Sequence, residues 1–221
     1  MKRLTLGVSG LAALVFTAGA VRMGGWAVVT VENPPEYLVA GTPTELRFMV
    51  RQHAVTVLSD LSPVVTARSG SSKIESRAAR ASNGGYRAEL TVPRAGEWRV
   101  EIESGFGNSK GFLLPIKALD AADRLPAPLA DAERGRVLFA AKGCVNCHVH
   151  RNVDLRGIMS DFGPELTTRR FAVQYLSAFL ADPSIKPPDG DKPRMPKPDL
   201  RTADIAPLIA FINAESRTAG R

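Results

Sequence analysis

The sequence has little cysteine, little histidine and few aromatic residues. Two cysteines among 221 residues exclude a disulfide-rich secreted scaffold. Charge of one sign does not dominate, because 29 lysines and arginines face 22 aspartates and glutamates. This mild basic excess does not indicate nucleic acid as a partner. Apolar residues make up 44% of the chain, which is enough for a buried core and excludes disorder on composition.

Long uncharged runs are rare, and the one that stands out covers residues 4–21, directly after a short basic head. The small residues Ala18-Gly19-Ala20 offer a cleavage site, so residues 1–20 are predicted to be a secretory signal peptide. A run of this length also sits at the lower limit for crossing a bilayer, so an uncleaved anchor with membrane association through residues 4–21 is the alternative. In both cases we expect an exported protein, periplasmic or on the outer face of the cytoplasmic membrane.

Residues 21–118 carry the pattern of a β-rich domain. Apolar and polar residues alternate in several short stretches, such as Leu46, Phe48 and Val50, and glycine and proline turn signals separate them. About seven such strands predict a β-sandwich with an immunoglobulin-like or cupredoxin-like plan. Since the stretch has no cysteine, the sandwich must hold without an inter-sheet disulfide.

The remainder of the chain changes character. Residues 119–130 are rich in alanine and proline without periodicity, which predicts a linker. Residues 131–221 have helical periodicity, with helices expected from Asp131, from about Arg170 to Ala181, and from Thr202. The sequence therefore predicts two domains, an all-β domain followed by an all-α domain.

Both cysteines fall in the segment Cys144-Val145-Asn146-Cys147-His148, the spacing of c-type haem attachment. Two thiols can form thioether bonds to the haem vinyl groups, and the histidine that follows is placed to bind the iron. The alternatives are a disulfide beside an idle histidine and a redox-active dithiol, although the latter motif usually lies near a βαβ unit, which this pattern lacks. We expect one covalently attached haem c.

Residues 131–216 resemble the class I cytochrome c domains, which are small mono-haem electron carriers. The resemblance rests on Gly135 and Phe139 in the first helix, Phe211 in the last, and the segment Gly163-Pro164-Glu165-Leu166. It implies a class I cytochrome c helical domain after the β-sandwich. It also implies that the Pro164 carbonyl accepts the Nδ1 proton of the histidine ligand.

The second axial ligand is expected from the loop before the last helix. Met195-Pro196 is similar to the Met-Pro element of that family, which implies that His148 and Met195 are the two metal ligands; a solvent-facing loop methionine is the alternative. Tyr175 is a candidate contact for the haem propionates. The predicted cofactor-binding residues are Cys144, Cys147, His148, Pro164, Tyr175 and Met195. His150 is expected to be exposed.

The predicted function is single-electron transfer to or from a respiratory or other redox partner, with the β domain as a docking module. Two filled axial positions leave no site for substrate, so no catalytic residue and no enzyme activity are expected. Basic residues around the motif predict a partner with an acidic surface, or a membrane oxidoreductase complex: Lys142, Arg151, Arg156, Lys186, Lys192, Arg194 and Lys197. The alternatives are a haem-based small-ligand sensor with an open sixth position, and a haem subunit of a larger membrane oxidoreductase complex.

Overall fold

The computed structural model describes residues 25–153, 155, 162–187, 190 and 194–214. The predicted signal peptide or anchor at residues 1–20 lies outside them. None of the helices in these ranges combines the length and the apolar character that a bilayer crossing requires.

Strands occupy the chain up to residue 119. They are β1 (Ala27–Val31), β2 (Leu38–Val39), β3 (Thr44–Gln52), β4 (Thr56–Val57), β5 (Val64–Ser69), β6 (Ser72–Arg77), β7 (Ala79–Arg80), β8 (Tyr86–Leu90), β9 (Gly96–Glu103), β10 (Lys110–Phe112) and β11 (Ile116–Leu119). One sheet has the order β1-β3-β8-β7, with β4 also paired to β3. The other has the order β2-β11-β9-β5-β6, with β10 also paired to β9. Of the pairs described, only that of β2 with β11 is parallel.

Side chains from both sheets form one apolar core, as expected for a β-sandwich. In β8, Tyr86, Ala88 and Leu90 are buried while the residues between them are exposed, which is the alternation the sequence predicts. The Tyr86 ring stacks on Phe48 with 5.7 Å between ring centroids. Its hydroxyl donates to the Leu58 carbonyl at 2.8 Å and accepts from the Leu61 amide at 2.9 Å. The Tyr86 hydroxyl is therefore paired inside the core, and no cysteine is among the described residues of that core.

Strand β1 is different because all five of its residues are buried. Ala27, Val29 and Val31 belong to the sandwich core. Val28 and Thr30 point to the opposite face of the sheet, yet they are only 5% and 7% exposed. This outer face must therefore be covered by another part of the chain.

The cover comes from the helical part of the chain. The helices are α1 (Asp131–Ala141), α2 (Val173–Ala181) and α3 (Thr202–Ile212).

Helices α1 and α3 cross at Gly135, where a Cβ atom would lie 1.9 Å from the Pro207 carbonyl oxygen. Only glycine permits this approach, and it brings Phe139 to 5.4 Å from Phe211 between ring centroids.

The structure corrects the predicted plan of an all-β domain followed by an all-α class I cytochrome c domain. The described residues form two sheets and three short helices of 11, 9 and 11 residues, so the protein is β-rich. The two parts also share side chains, because Ala141 of α1 lies in the sandwich core and Leu114 lies in the core beneath the helices. The structure therefore does not support the resemblance to class I cytochrome c domains. Helical periodicity predicted the helices, but it cannot show that they pack against the sandwich.

A buried ion pair joins the helical part to the sandwich. The Lys142 ammonium lies 3.2 Å from Asp204 Oδ2 in α3 and donates to the Glu32 carbonyl at 2.7 Å. The side chains of Lys142 and Asp204 are each 2% exposed. Burial lowers the pKa of Lys142 despite the attraction of Asp204. Burial opposes ionisation of Asp204, but hydrogen bonds from Arg201 and Lys142 outweigh it, so the pKa of Asp204 is lowered.

Replacement of Lys142 by methionine is expected to destabilise the protein by about 3 kcal/mol, because it leaves a buried carboxylate and the Glu32 carbonyl without their ammonium partner. The value is at the lower end for a broken buried pair, since Arg201 still bonds Asp204 at 2.6 Å. Urea unfolding measures the change. Lys73→Met, in an exposed pair with Glu75, is the control and should cost less than about 1 kcal/mol. Equal losses in the two variants would contradict the role of Lys142.

Candidate functional site

The residues of the cysteine–histidine motif lie on one compact turn after α1. Gly143 begins the turn with a left-handed φ of 75°, a conformation that glycine adopts without strain. Cys144–Asn146 form one turn of 3-10 helix. The backbone amides of Cys147 and His148 both donate to the Cys144 carbonyl, at 3.1 and 2.9 Å. Two thiols and one imidazole are therefore presented from a single hydrogen-bonded segment.

The two cysteines are free thiols, and each is partly buried. Cys144 packs against the core beneath the helices, and burial raises its pKa to about 12. Burial also raises the pKa of Cys147. Both groups are thus protonated at neutral pH. Disulfide exchange proceeds through the thiolate, so the raised pKa values disfavour the redox-active dithiol alternative.

The His148 ring is held by one hydrogen bond. Its Nδ1 lies 2.9 Å from the Pro164 carbonyl oxygen. A carbonyl can only accept, so Nδ1 carries the proton and Nε2 keeps a free lone pair. Burial lowers the pKa of His148, although the bond to Pro164 opposes this change. The neutral imidazole with a free Nε2 is the form that binds metals.

Gly163 is essential to this arrangement. Its amide donates to the Cys147 carbonyl at 2.7 Å, which joins the segment before Pro164 to the cysteine turn. A Cβ atom on Gly163 would lie 2.4 Å from His148 Cε1 and 2.5 Å from Nδ1. No side chain fits between this backbone and the ring. The sequence signal was the Gly-Pro pair itself, and the structure shows that the glycine makes room for the imidazole.

The other predicted site residues lie on separate segments. Met195 is partly buried and packs against the same core as Cys144. Tyr175 lies on α2 and is 43% exposed, stacked between Phe171 at 6.5 Å and Phe179 at 5.9 Å. The structure therefore joins Pro164 to His148 and places Met195 on the core that Cys144 contacts. Tyr175 belongs to an aromatic row of its own.

Two expectations near the motif are wrong. His150 was expected to be exposed, but it is fully buried, 5.8 Å from Phe139 and 4.2 Å from Phe211 between ring centroids. Its Nε2 has no hydrogen-bond partner. Lys142 was counted among exposed basic residues, but it lies in the buried ion pair described above. Of the other basic residues, Arg151, Lys186, Arg194 and Lys197 are exposed, and two lie outside the described residues: Arg156 and Lys192.

A conventional metal centre is not found in the described part of the chain. No three histidine, cysteine, aspartate or glutamate side chains are grouped there so that they could hold a metal ion. The predicted metal-binding character is thereby corrected, because the described residues form no metal-binding group. An iron held by a porphyrin would require only axial ligands from the protein.

Comparisons with known proteins do not identify a family. No family model matches the chain, and no curated protein matches it. A solved structure of a suspected glycoside hydrolase from Bacteroides vulgatus is similar at 21% identity and a TM-score of 0.32, over 40% of this chain and 17% of that chain. The PKD domain from the human VPS10 domain-containing receptor SorCS2 is similar at 14% identity and a TM-score of 0.28, over 56% of this chain and all of that domain. Likenesses this low define neither the fold nor the function.

Gly163→Ala is expected to displace the His148 ring and break its bond to Pro164, at a cost of about 1–3 kcal/mol for forced overpacking. The proton signal of the ring Nδ1–H, followed by NMR in the full chain without cofactor, should be lost to exchange with water. Pro164→Ala is the matched control, because it keeps the accepting backbone carbonyl and should keep the signal. An unchanged Nδ1 signal in Gly163→Ala would contradict the close approach.

Proposed function

We propose that this protein carries one haem, covalently attached at Cys144 and Cys147 with His148 as an axial ligand, and that it transfers single electrons. The observation that carries the proposal is the cysteine–histidine turn. It presents two protonated thiols and an imidazole whose Nε2 is kept free by the bond from Nδ1 to Pro164. These are the groups that thioether attachment and axial ligation require.

Exposed apolar surface in the helical part supports an apolar ligand. Phe162, which directly precedes Gly163, is 70% exposed. A large apolar side chain that is open to water next to the motif is consistent with a ligand surface there. A porphyrin is a flat apolar ring system that would shield such side chains from water.

When bound, haem supplies an iron that gains or loses one electron between its ferric and ferrous states. The chain contributes the ligands and their orientation. His148 offers its Nε2 lone pair, and Pro164 fixes the plane of the imidazole. Met195 is proposed as the second axial ligand, and a thioether in that position raises the reduction potential. If His148 and Met195 both held the iron, no position would be left on it for a substrate, and the protein would act as an electron carrier.

The partner is proposed to be a redox protein with an acidic surface, or a membrane oxidoreductase complex. The exposed residues Arg151, Lys186, Arg194 and Lys197 would attract such a surface and speed encounter. The sandwich is proposed to dock, through the hairpin of β3 and β4 where Val55 and Val57 are 68% and 41% exposed. Export to the periplasm, or to the outer face of the cytoplasmic membrane, belongs to the same proposal.

Replacement of both cysteines by serine tests the covalent attachment. Wild-type protein produced with haem-attachment machinery should keep haem peroxidase staining at its own mass after denaturing electrophoresis, because thioether bonds survive denaturation. Cys144→Ser/Cys147→Ser should lose the stain completely. Met195→Leu is the control, since it keeps both cysteines that form the covalent bonds to haem and should stain as wild type. Stain that persists in the double variant, or that is missing from wild type, would contradict the proposal.

Replacement of Met195 by leucine separates a carrier from a small-ligand sensor. Leucine keeps the volume but removes the sulfur, so the reduction potential should fall and the ferrous protein should bind carbon monoxide much faster. Met49→Leu, in the sandwich, is the matched control and should change neither quantity. Potentiometry and flash photolysis give the two values. Wild-type protein that already binds carbon monoxide as fast as Met195→Leu would favour the sensor.

A further inference from the structure

Strand β1 supports the cysteine turn directly. A Cβ atom on Gly143 would lie 2.4 Å from Val28 Cγ1 and 3.3 Å from the Val29 carbonyl oxygen. The residue before Cys144 therefore rests on the outer face of the sandwich. In the antiparallel ladder of β1 with β3, the residue opposite Val28 is Arg51.

Arg51 reaches from this same ladder position to the loop that carries Met195. Its Nη1 donates to the Thr30 hydroxyl at 3.2 Å, and its Nη2 lies 3.3 Å from Asp199 Oδ2. Its side chain is 19% exposed, while that of Asp199 is 45% exposed. Because Thr30 is buried on the outer face of β1, one end of the planar guanidinium is fixed to the sandwich and the other end meets the loop.

The loop is short and stiff between Asp199 and Met195. Pro196 and Pro198 lie between them, and each fixes its own φ angle. The Leu200 amide donates to the Pro198 carbonyl at 3.0 Å. Met195 and Leu200 both pack against the core beneath the helices. A restraint at Asp199 is therefore transmitted along few free torsions to Met195.

We propose that Arg51 is a positioning residue for Met195. From β3 it binds Asp199, and it thereby fixes the position of the Met195 loop relative to the cysteine turn, which packs on Val28. The inference rests on the proposed function. It gives the sandwich a part in shaping the site in addition to docking. Arg51 acts through Asp199, the loop residue with which it forms an ion pair.

The experiment compares Arg51→Met, Asp199→Asn and the double variant with wild type. In the haem-loaded full chain, carbon monoxide association reports how often Met195 leaves the iron. Each single variant should raise that rate about two- to five-fold, the factor expected for losing a partly exposed ion pair, and the double variant should raise it no further. Arg47→Met, which removes the exposed Arg47–Glu45 pair on the same strand, should leave the rate unchanged.

A second readout does not depend on haem. In the full chain without cofactor, exchange of the Leu200 amide hydrogen, which donates to the Pro198 carbonyl in this loop, should quicken by the same factor in Arg51→Met and Asp199→Asn, and should not change in Arg47→Met. If no haem attaches, the proposed function fails while this readout still tests the link from Arg51 to the loop. The inference is overturned if Arg51→Met exchanges as wild type does, or if exchange quickens while carbon monoxide association stays the same.

Discussion

The packing of the helical part on the outer face of β1 is the constraint on which the rest of the structure depends. It buries the strand on both faces, brings Gly143 against Val28, and lets Lys142 reach the Glu32 carbonyl just beyond the end of the strand. Since Gly143 immediately precedes Cys144, this contact fixes the position of the cysteine turn relative to the sandwich.

From the contact of Gly143 with Val28, a series of close backbone contacts builds the candidate site. The Cys147 carbonyl accepts a hydrogen bond from the Gly163 amide. The carbonyl of the next residue, Pro164, accepts one from the His148 ring. On the other side of α1, Gly135 lets the helix meet α3. At all three glycines a Cβ atom would collide with a neighbour, so glycine is required by close approach. The geometry of the cysteine–histidine turn is thus set by close backbone contacts.

Local patterns in the sequence predicted local structure well. Alternation located β8 and the buried Leu46, Phe48 and Val50 of β3, but not Met49, which is buried as well. Thr202 begins the last helix as expected. The motif grouped two thiols with an imidazole because the residues are adjacent. Contacts between distant segments were not predictable in the same way. Lys142 looked like a surface charge, and only the fold brings Asp204 to it. In β1 every residue but Thr30 is apolar, which indicates burial on both faces, but this pattern does not identify the covering element.

The central claim is that sandwich and helices stabilise one another as a single unit that carries the site. Equilibrium urea unfolding followed by two probes tests it most directly. The two tryptophans, Trp26 and Trp98, both lie in the β part, so their fluorescence reports the sandwich, while far-ultraviolet circular dichroism in the helical band reports α1, α2 and α3. The account predicts coincident transitions with one midpoint. Two resolved transitions, with the helical signal lost while tryptophan fluorescence stays native, would contradict it.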